Sequence, residues 1–239
     1  MLALMETGTR VHAFRPLHPD SSAAVPIRAV QDLFSKQPLR RLADNEHLFY
    51  EEDHNKNVYR IESGMVALYR ILGNGRRQIM SLRFPGDVVG LENSGSRHCS
   101  AVAIAPVASR AVTQHMVDRL VDRLPQAASE IIDLIGDELD STWQQITLLN
   151  RRSALEKLAA FILELDRRQS GQTSRPGEVL LQMSRTDIAD FLGLTIETVS
   201  RNLTKLKIRK FIQLPDIHTL VIVDRAGLSG LADGDVDCD

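Results

Sequence analysis

The sequence predicts an α+β chain: an antiparallel β-roll of the cupin-like jelly-roll kind, then a long helix that pairs two copies, then a winged helix-turn-helix. Three stretches carry that prediction. Residues 39–115 break into short apolar runs separated by turn residues. Residues 125–149 hold an apolar stripe at heptad spacing. Residues 183–206, MSRTDIADFLGLTIETVSRNLTKL, read as two short amphipathic helices around a glycine turn. Size permits this plan, because 239 residues suffice for two modest domains, each with its own core.

Residues 1–28 contain three prolines and no clear period, and are expected to form a flexible leader. A short helix is expected near Ile27–Phe34. The β-roll is placed at 29–124. Within it Val58, Arg60 and Glu62 alternate with Tyr59 and Ile61, Met65–Ile71 is β-rich, and Gly73-Asn74-Gly75 makes a hairpin loop. Strand texture resumes at Val102–Val112. Few aromatic residues are available, so the roll's core should be mainly aliphatic.

The long helix, 125–150, takes Pro125 into its first turn. Ile132, Ile135, Leu139, Thr142, Ile146 and Leu149 follow an a/d pattern and form the expected dimer interface. Ile131, Leu134 and Leu148 form a second stripe able to pack on the roll. Burial within one subunit is the alternative for the first stripe.

The winged helix-turn-helix is placed at 151–225. Ser153 with Glu156 has the spacing of a capping box, and Leu155, Leu158, Ala159, Ile162 and Leu165 share one face of a helix over Ala154–Arg168. A polar loop, 170–177, precedes a short strand at Val179–Gln182. Ser184 and Asp187 cap the next helix, Gly193 ends it, and Thr195 caps a helix over Ile196–Leu206. Val199, Leu203 and Leu206 face inward, leaving Glu197, Ser200, Arg201, Thr204 and Lys205 outward. Phe211–Leu214 and Thr219–Val223 flank a turn at Pro215–His218 and read as a wing. Residues 226–239 have little bulky apolar content and read as a disordered acidic tail.

Charge points to the partner. Residues 151–225 carry 13 basic against 9 acidic residues between two net-acidic flanks. From Thr198 to Leu214 there are five basic residues and no acidic one. Such a cluster suits DNA phosphates, and an outward row of acid, hydroxyl and guanidinium suits base edges in a major groove. A helical hairpin with a merely solvated face is the alternative. No apolar run approaches the roughly 20 residues of a membrane span, and MLALMETGTR lacks the features of a signal peptide. A soluble cytoplasmic protein is expected. Two cysteines, Cys99 and Cys238, exclude a disulfide scaffold. No phosphate-cradling loop, metal-spaced set or nucleophile with a base stands out, so an enzyme is not expected. Asp87 in the Pro85-Gly86-Asp87 turn reads as a hydrogen-bonding cap.

Phe84-Pro85-Gly86-Asp87-Val88-Val89-Gly90, Leu158-Ala159-Ala160-Phe161-Ile162-Leu163-Glu164-Leu165 and the 183–206 segment together resemble the CRP/FNR superfamily of bacterial transcription regulators, across roughly residues 30–225. Glu197-x-x-Ser200-Arg201 is similar to the base-reading triplet of the FNR/FixK branch. Ile196 stands where the cAMP receptor branch has arginine. The resemblance implies a homodimer on double-stranded DNA, reading TTGAT-like half-sites as an inverted repeat, most simply as an activator. Arg185, Thr186, Thr195, Thr204, Lys205 and Lys207 are then the expected phosphate contacts, and Gly73–Arg77 a surface for RNA polymerase.

The same resemblance frames the roll. Where cyclic-nucleotide binders carry Gly-Glu-Leu and Arg-Ser/Thr-Ala, this chain has Gly90-Leu91-Glu92 and Cys99-Ser100-Ala101. Cys99 replaces the phosphate-binding arginine, and Arg97, two residues away, is an awkward substitute, so cAMP is not expected. Four thiolates for an iron–sulfur cluster are lacking. The leading expectation is a regulator without cofactor, with Cys99 an inert core residue. The alternative is an effector-dependent sensor with haem or another small molecule in the roll, for which His98, Cys99, His47, His54 and His115 are conceivable ligands. Ser200 replaces a cysteine found in certain FixK proteins, which removes oxidative control there.

Overall fold

The computed structural model of the chain describes residues 28–54, 56–92, 95–151, 153–170 and 175–234. The expected leader (apart from Arg28), part of the 170–177 loop and the last five residues of the acidic tail lie outside them.

Helix α1 (Ala29–Ser35) buries Val30 and Phe34. Its first free N–H groups, on Ala29 and Val30, donate to the two carboxylate oxygens of Glu130 at 2.8 and 3.0 Å. A helix N-terminus needs such acceptors.

Eight strands follow: β1 (Leu39–Leu42), β2 (His47–Phe49), β3 (Asn57–Ser63), β4 (Val66–Ile71), β5 (Arg77–Arg83), β6 (Val88–Val89), β7 (Ser100–Ala103) and β8 (Val107–Thr113). They make two antiparallel four-stranded sheets, in the orders β1-β8-β3-β6 and β2-β7-β4-β5. Between them lies the expected aliphatic core, including Leu42, Leu48, Ile61, Val66, Leu68, Val89 and Val107, with Phe49 and Tyr59. Alternation in β3 sends Tyr59 and Ile61 into this core, yet Val58 on the other face is also buried. It joins Val30, Phe34, Val112, Val117 and Ala127 in a second cluster under the helices. The strand texture expected over 102–112 divides into β7 and β8. The β4–β5 hairpin turns at Gly73–Gly75, where Gly75 N–H donates to Leu72 O at 2.8 Å and Gly75 takes φ +80°.

Inside the expected roll span sits a helix that strand texture does not announce, α2 (Gln114–Arg123), capped by Thr113. Helix α3 (Gln126–Leu149) starts after Pro125. Ile131 and Leu134 pack on the second cluster and Leu148 on the main core, as the second stripe suggests.

Helix α4 (Ala154–Arg168) is capped by Ser153 Oγ, which accepts from Glu156 N–H at 3.1 Å. It buries the expected Leu155, Leu158, Ala159, Ile162 and Leu165, together with Phe161. Strand β9 (Glu178–Leu180) starts one residue before the expected strand and stops two short of its end, although Leu181 and Met183 stay buried. Helices α5 (Arg185–Leu192) and α6 (Ile196–Ile208) form the helix-turn-helix. Strands β10 (Ile212–Gln213) and β11 (Thr219–Ile222) form the wing, in a sheet ordered β10-β11-β9.

One expectation is overturned. The folded chain does not give way to a tail at residue 226, because α7 spans Arg225–Asp233. Asp224 Oδ1 caps it, accepting from Gly227 N–H at 2.9 Å. Leu228, Leu231 and Ala232 are buried in the core shared with α4, and Arg225 pairs with Asp166 of α4. Two leucines at i and i+3 suffice to dock a short helix, whatever the average composition of the segment.

Candidate nucleic-acid interface

The turn between α5 and α6 is built by local chemistry. Ser184 Oγ accepts from Asp187 N–H at 3.1 Å, and Ser184 N–H donates back to Asp187 Oδ2 at 3.0 Å, which completes the capping box. Gly193 sits in the left-handed region at φ +67°. A side chain there meets a Cβ penalty that glycine avoids. Thr195 Oγ1 then accepts from Thr198 N–H at 3.2 Å and opens α6.

Burial fixes which face of α6 looks out. Val199, Leu203 and Leu206 are buried against Ile188, Ala189 and Leu192 in one continuous core. Glu197, Ser200, Arg201, Thr204, Lys205 and Lys207 are all exposed, as are Thr195 and Thr186. The helix runs two residues beyond its expected end, to Ile208.

The outward groups are poised for hydrogen bonding. Glu197's carboxyl is held below its usual pKa by its own backbone N–H, by the Thr195 hydroxyl and by the charge of Arg201 one turn on. Arg201 Nη2 lies 3.4 Å from Thr198 Oγ1 and is otherwise turned to solvent. An ionised carboxylate can accept from cytosine N4, and a guanidinium fork can donate twice to guanine.

Arg185 stands apart from the other expected phosphate contacts. It is half-buried, burial lowers its pKa, and its Nη1 has no hydrogen-bond partner among the described residues. It lines a cleft of about 600 Å³ between the roll and the wing, with Arg77, Asp187 and His218.

The Gly73–Arg77 surface is not wholly free. Arg76 Nη2 donates to Leu194 O at 3.1 Å, and Arg77 pairs with Asp187 and, through Nε at 2.7 Å, with Asp190. At the hairpin tip the space around Gly73 and Gly75 is open, with nothing within 4 Å of where a Cβ would stand. Behind α5, Gln78 Nε2 donates to Asp190 O at 2.7 Å and Gln145 Nε2 to Phe191 O at 3.0 Å. Sequence reasoning named Arg76 and Arg77 only as part of a polymerase surface and did not name Gln78 or Gln145, so it missed all of these contacts. The four residues lie far along the chain from their partners, and no spacing rule couples them.

On α3 the expected dimer residues Ile132, Ile135, Leu139 and Ile146 are 67%, 48%, 54% and 44% exposed in the single chain. Thr142 is exposed, and Leu149 is half-buried beside Gly193. Trp143, beside the stripe and also exposed, was not anticipated.

The roll's interior does not suit a cyclic nucleotide. Arg97 is buried, but its Nη1 is 2.7 Å from Glu92 Oε2, its Nη2 donates to Asn57 O, and its fork lies 4.1 Å over the Phe49 ring. A carboxylate already occupies the guanidinium that an anionic phosphate would need. Cys99 is buried and its thiol pKa is pushed up to about 11 by burial, reinforced by Glu92 and Glu138. A thiol so raised is a poor nucleophile and ligand. His98 beside it, like His54 and His115, is exposed. His47 Nε2 lies 2.9 Å from the Tyr69 hydroxyl, and its ring stacks on Tyr50. No group of three metal-ligating side chains occurs among the described residues. Asp87 Oδ2 accepts from Phe84 N–H at 2.9 Å, the turn-capping role expected of it. No helix among the described residues is long and apolar enough to cross a membrane.

Comparison with known proteins adds family to geometry. Residues 156–231 match the Crp-like helix-turn-helix domain, and residues 39–123 match the cyclic nucleotide-binding domain. The nitrogen fixation regulation protein FixK of Bradyrhizobium diazoefficiens is 41% identical over 165 residues, covering 69% of this chain and 70% of that one. The fumarate and nitrate reduction regulatory protein of Escherichia coli is 34% identical over 174 residues, 72% of this chain and 68% of the relative. The solved structure of FixK2 from Bradyrhizobium japonicum superposes with a TM-score of 0.76 at 32% identity, covering 85% of this chain and 99% of that one.

Proposed function

The chain belongs to the CRP/FNR superfamily of transcription regulators, on its FixK-like branch, and from that membership we propose that it binds double-stranded DNA as a homodimer at an inverted repeat of TTGAT-like half-sites. One observation carries this reading. On α6 the core takes Val199, Leu203 and Leu206, and leaves Glu197, Ser200 and Arg201 in a solvent-facing row. Glu197 and Arg201 read base edges, and Ser200 contacts a thymine methyl or a neighbouring edge. Thr186, Thr195, Thr204, Lys205 and Lys207 hold phosphates and set register without specifying sequence. Arg185 joins them by swinging out of its cleft.

The exposed stripe of α3 supports pairing. Four large apolar side chains at heptad spacing are costly to leave in water and match a two-stranded seam. Reading two half-sites one duplex turn apart requires the paired α6 helices to lie about 34–36 Å from each other. The working parts are then a roll over 29–124, a seam over 125–150 and a winged helix-turn-helix from 151 to the end of α7. RNA polymerase meets the hairpin tip at Gly73–Gly75, and the protein acts in the cytoplasm as an activator. Its DNA binding needs no added small molecule, a reading supported by the Arg97–Glu92 pair and the protonated Cys99.

Binding of the full chain to a TTGAT inverted repeat and to a scrambled duplex tests the reading. Arg201→Ala should cost about 1–3 kcal/mol on the repeat and little on the scrambled DNA. Equal losses on both duplexes would remove Arg201 from base reading.

A further inference from the structure

The helix-turn-helix is not completed by its own residues. The last four carbonyls of an α-helix lack intrahelical partners, which for α5 are those of Ala189, Asp190, Phe191 and Leu192. Ala189 O is served locally, by the N–H groups of Gly193 and Leu194. Asp190 O is served by Gln78 of β5 and Phe191 O by Gln145 of α3, both from outside the winged-helix unit. Just beyond, Leu194 O accepts from Arg76. Arg77 adds a two-pronged contact. Its Nε meets Asp190 Oδ2 at 2.7 Å, its Nη2 meets Asp187, and its guanidinium lies 5.7 Å over the Tyr69 ring.

This is not an ordinary surface pair. The side chains of Arg77, Asp187 and Asp190 are all largely shielded from solvent. Forked arginine–carboxylate contacts are directional as well as strong. Asp187 is also the capping-box carboxylate, so one side chain fixes both the start of α5 and its distance from the roll. The three-residue turn 193–195 and the shared core make α6 move with α5. Arg201 is the sixth residue of α6, about 9 Å along its axis, so a tilt of about 10° displaces it by roughly 1.5 Å. That exceeds the tolerance of a base-edge hydrogen bond.

We propose that Arg77 is a positioning residue for DNA reading. Its fork on Asp187 and Asp190, backed by Gln78 on the Asp190 carbonyl, sets the tilt of α5 and so the angle at which α6 presents Glu197, Ser200 and Arg201. The β4–β5 hairpin is thereby part of the DNA-reading machinery without touching DNA. The proposal rests on the reading that α6 faces the major groove.

The test uses the full chain, with fluorescence anisotropy on the TTGAT repeat and on a scrambled duplex at one salt concentration, and a thermal melt of each variant alongside. Arg77→Ala should weaken binding to the repeat at least tenfold while changing the scrambled duplex less than twofold. Asp190→Ala should do the same. The double variant should be no worse than the poorer single one, because the same fork is broken in all three. Arg77→Asp with Asp190→Arg should recover at least half of the missing discrimination. A loss of stability alone does not produce this pattern, since it leaves the ratio between the two duplexes unchanged among folded molecules. Should Arg77→Ala fail to fold, Gln78→Leu removes the carbonyl contact with charges intact and should reduce discrimination severalfold. An unchanged ratio in the folded variants, additive losses, or no recovery on charge exchange overturns the proposal. If the wild-type chain itself does not prefer the repeat, the DNA-reading function fails first, and the positioning role falls with it.

Discussion

Cys99 shows how a residue's environment decides its chemistry. Its thiol titrates near 9.0 when unperturbed and at about 11 in the fold, raised chiefly by burial. A thiol that is harder to ionise when folded contributes stability that is complete below pH 9 and is lost as pH rises through 11. Between pH 8 and pH 11 the wild-type chain should therefore lose about 2 kcal/mol more than Cys99→Ala in urea unfolding. Parallel stability curves would place the thiol in water. At this scale the outward placement of Glu197, Ser200 and Arg201 was legible, because helix period alone separates them from Val199, Leu203 and Leu206. The half-burial of Arg185 was not legible, because the cleft that receives it is walled by the roll. Nor were Arg77 and Gln78, whose partners lie 113 and 112 residues away.

At the scale of elements, strong periods and local caps were read well. Helix α4 has the expected bounds, and the Ser184 box, the Gly193 turn and the Thr195 cap all form. The missed elements, α2 and α7, are short helices whose docking depends on tertiary neighbours. Val117 of α2 is buried in a cluster built from α1, α3 and the roll residues Val58 and Val112, and Leu228 and Leu231 of α7 are buried in the core that α4 shares. Composition made residues 226–233 resemble a tail, since averaging hides two well-spaced leucines. The α3 stripe is the element with the clearest consequence. Leu139→Lys places a charge in the middle of the proposed seam, and sedimentation should show a dimer for the wild-type chain and a monomer for the variant. Its affinity for the full repeat should fall towards that for a half-site. A Leu139→Lys chain that still sediments as a dimer would move the seam elsewhere.

At the scale of the molecule, the net charge of −2 conceals a basic DNA-reading unit between acidic flanks. Counterion release makes its affinity steeply salt-dependent. Lys205→Ala should weaken binding to all sequences alike and reduce the slope of log K against log salt by about one. An unchanged slope would take Lys205 off the phosphates. The plan of roll, long helix and winged helix-turn-helix was legible because each part has its own period. How the parts grip one another was not, because Arg76, Arg77, Gln78 and Gln145 belong to the roll and the long helix, while their acceptors belong to α5 and the turn after it. That grip makes the sensor-like roll a structural partner of the reading helix. The measurement that bears most directly on the whole scheme is selection of bound duplexes from a random pool by the untreated full-length chain. The selected sequences should converge, with no effector added, on two inverted TTGAT-like elements with centres about 10 base pairs apart. A pool that fails to converge, or that yields a single unpaired element, would contradict a symmetric pair of α6 helices reading DNA.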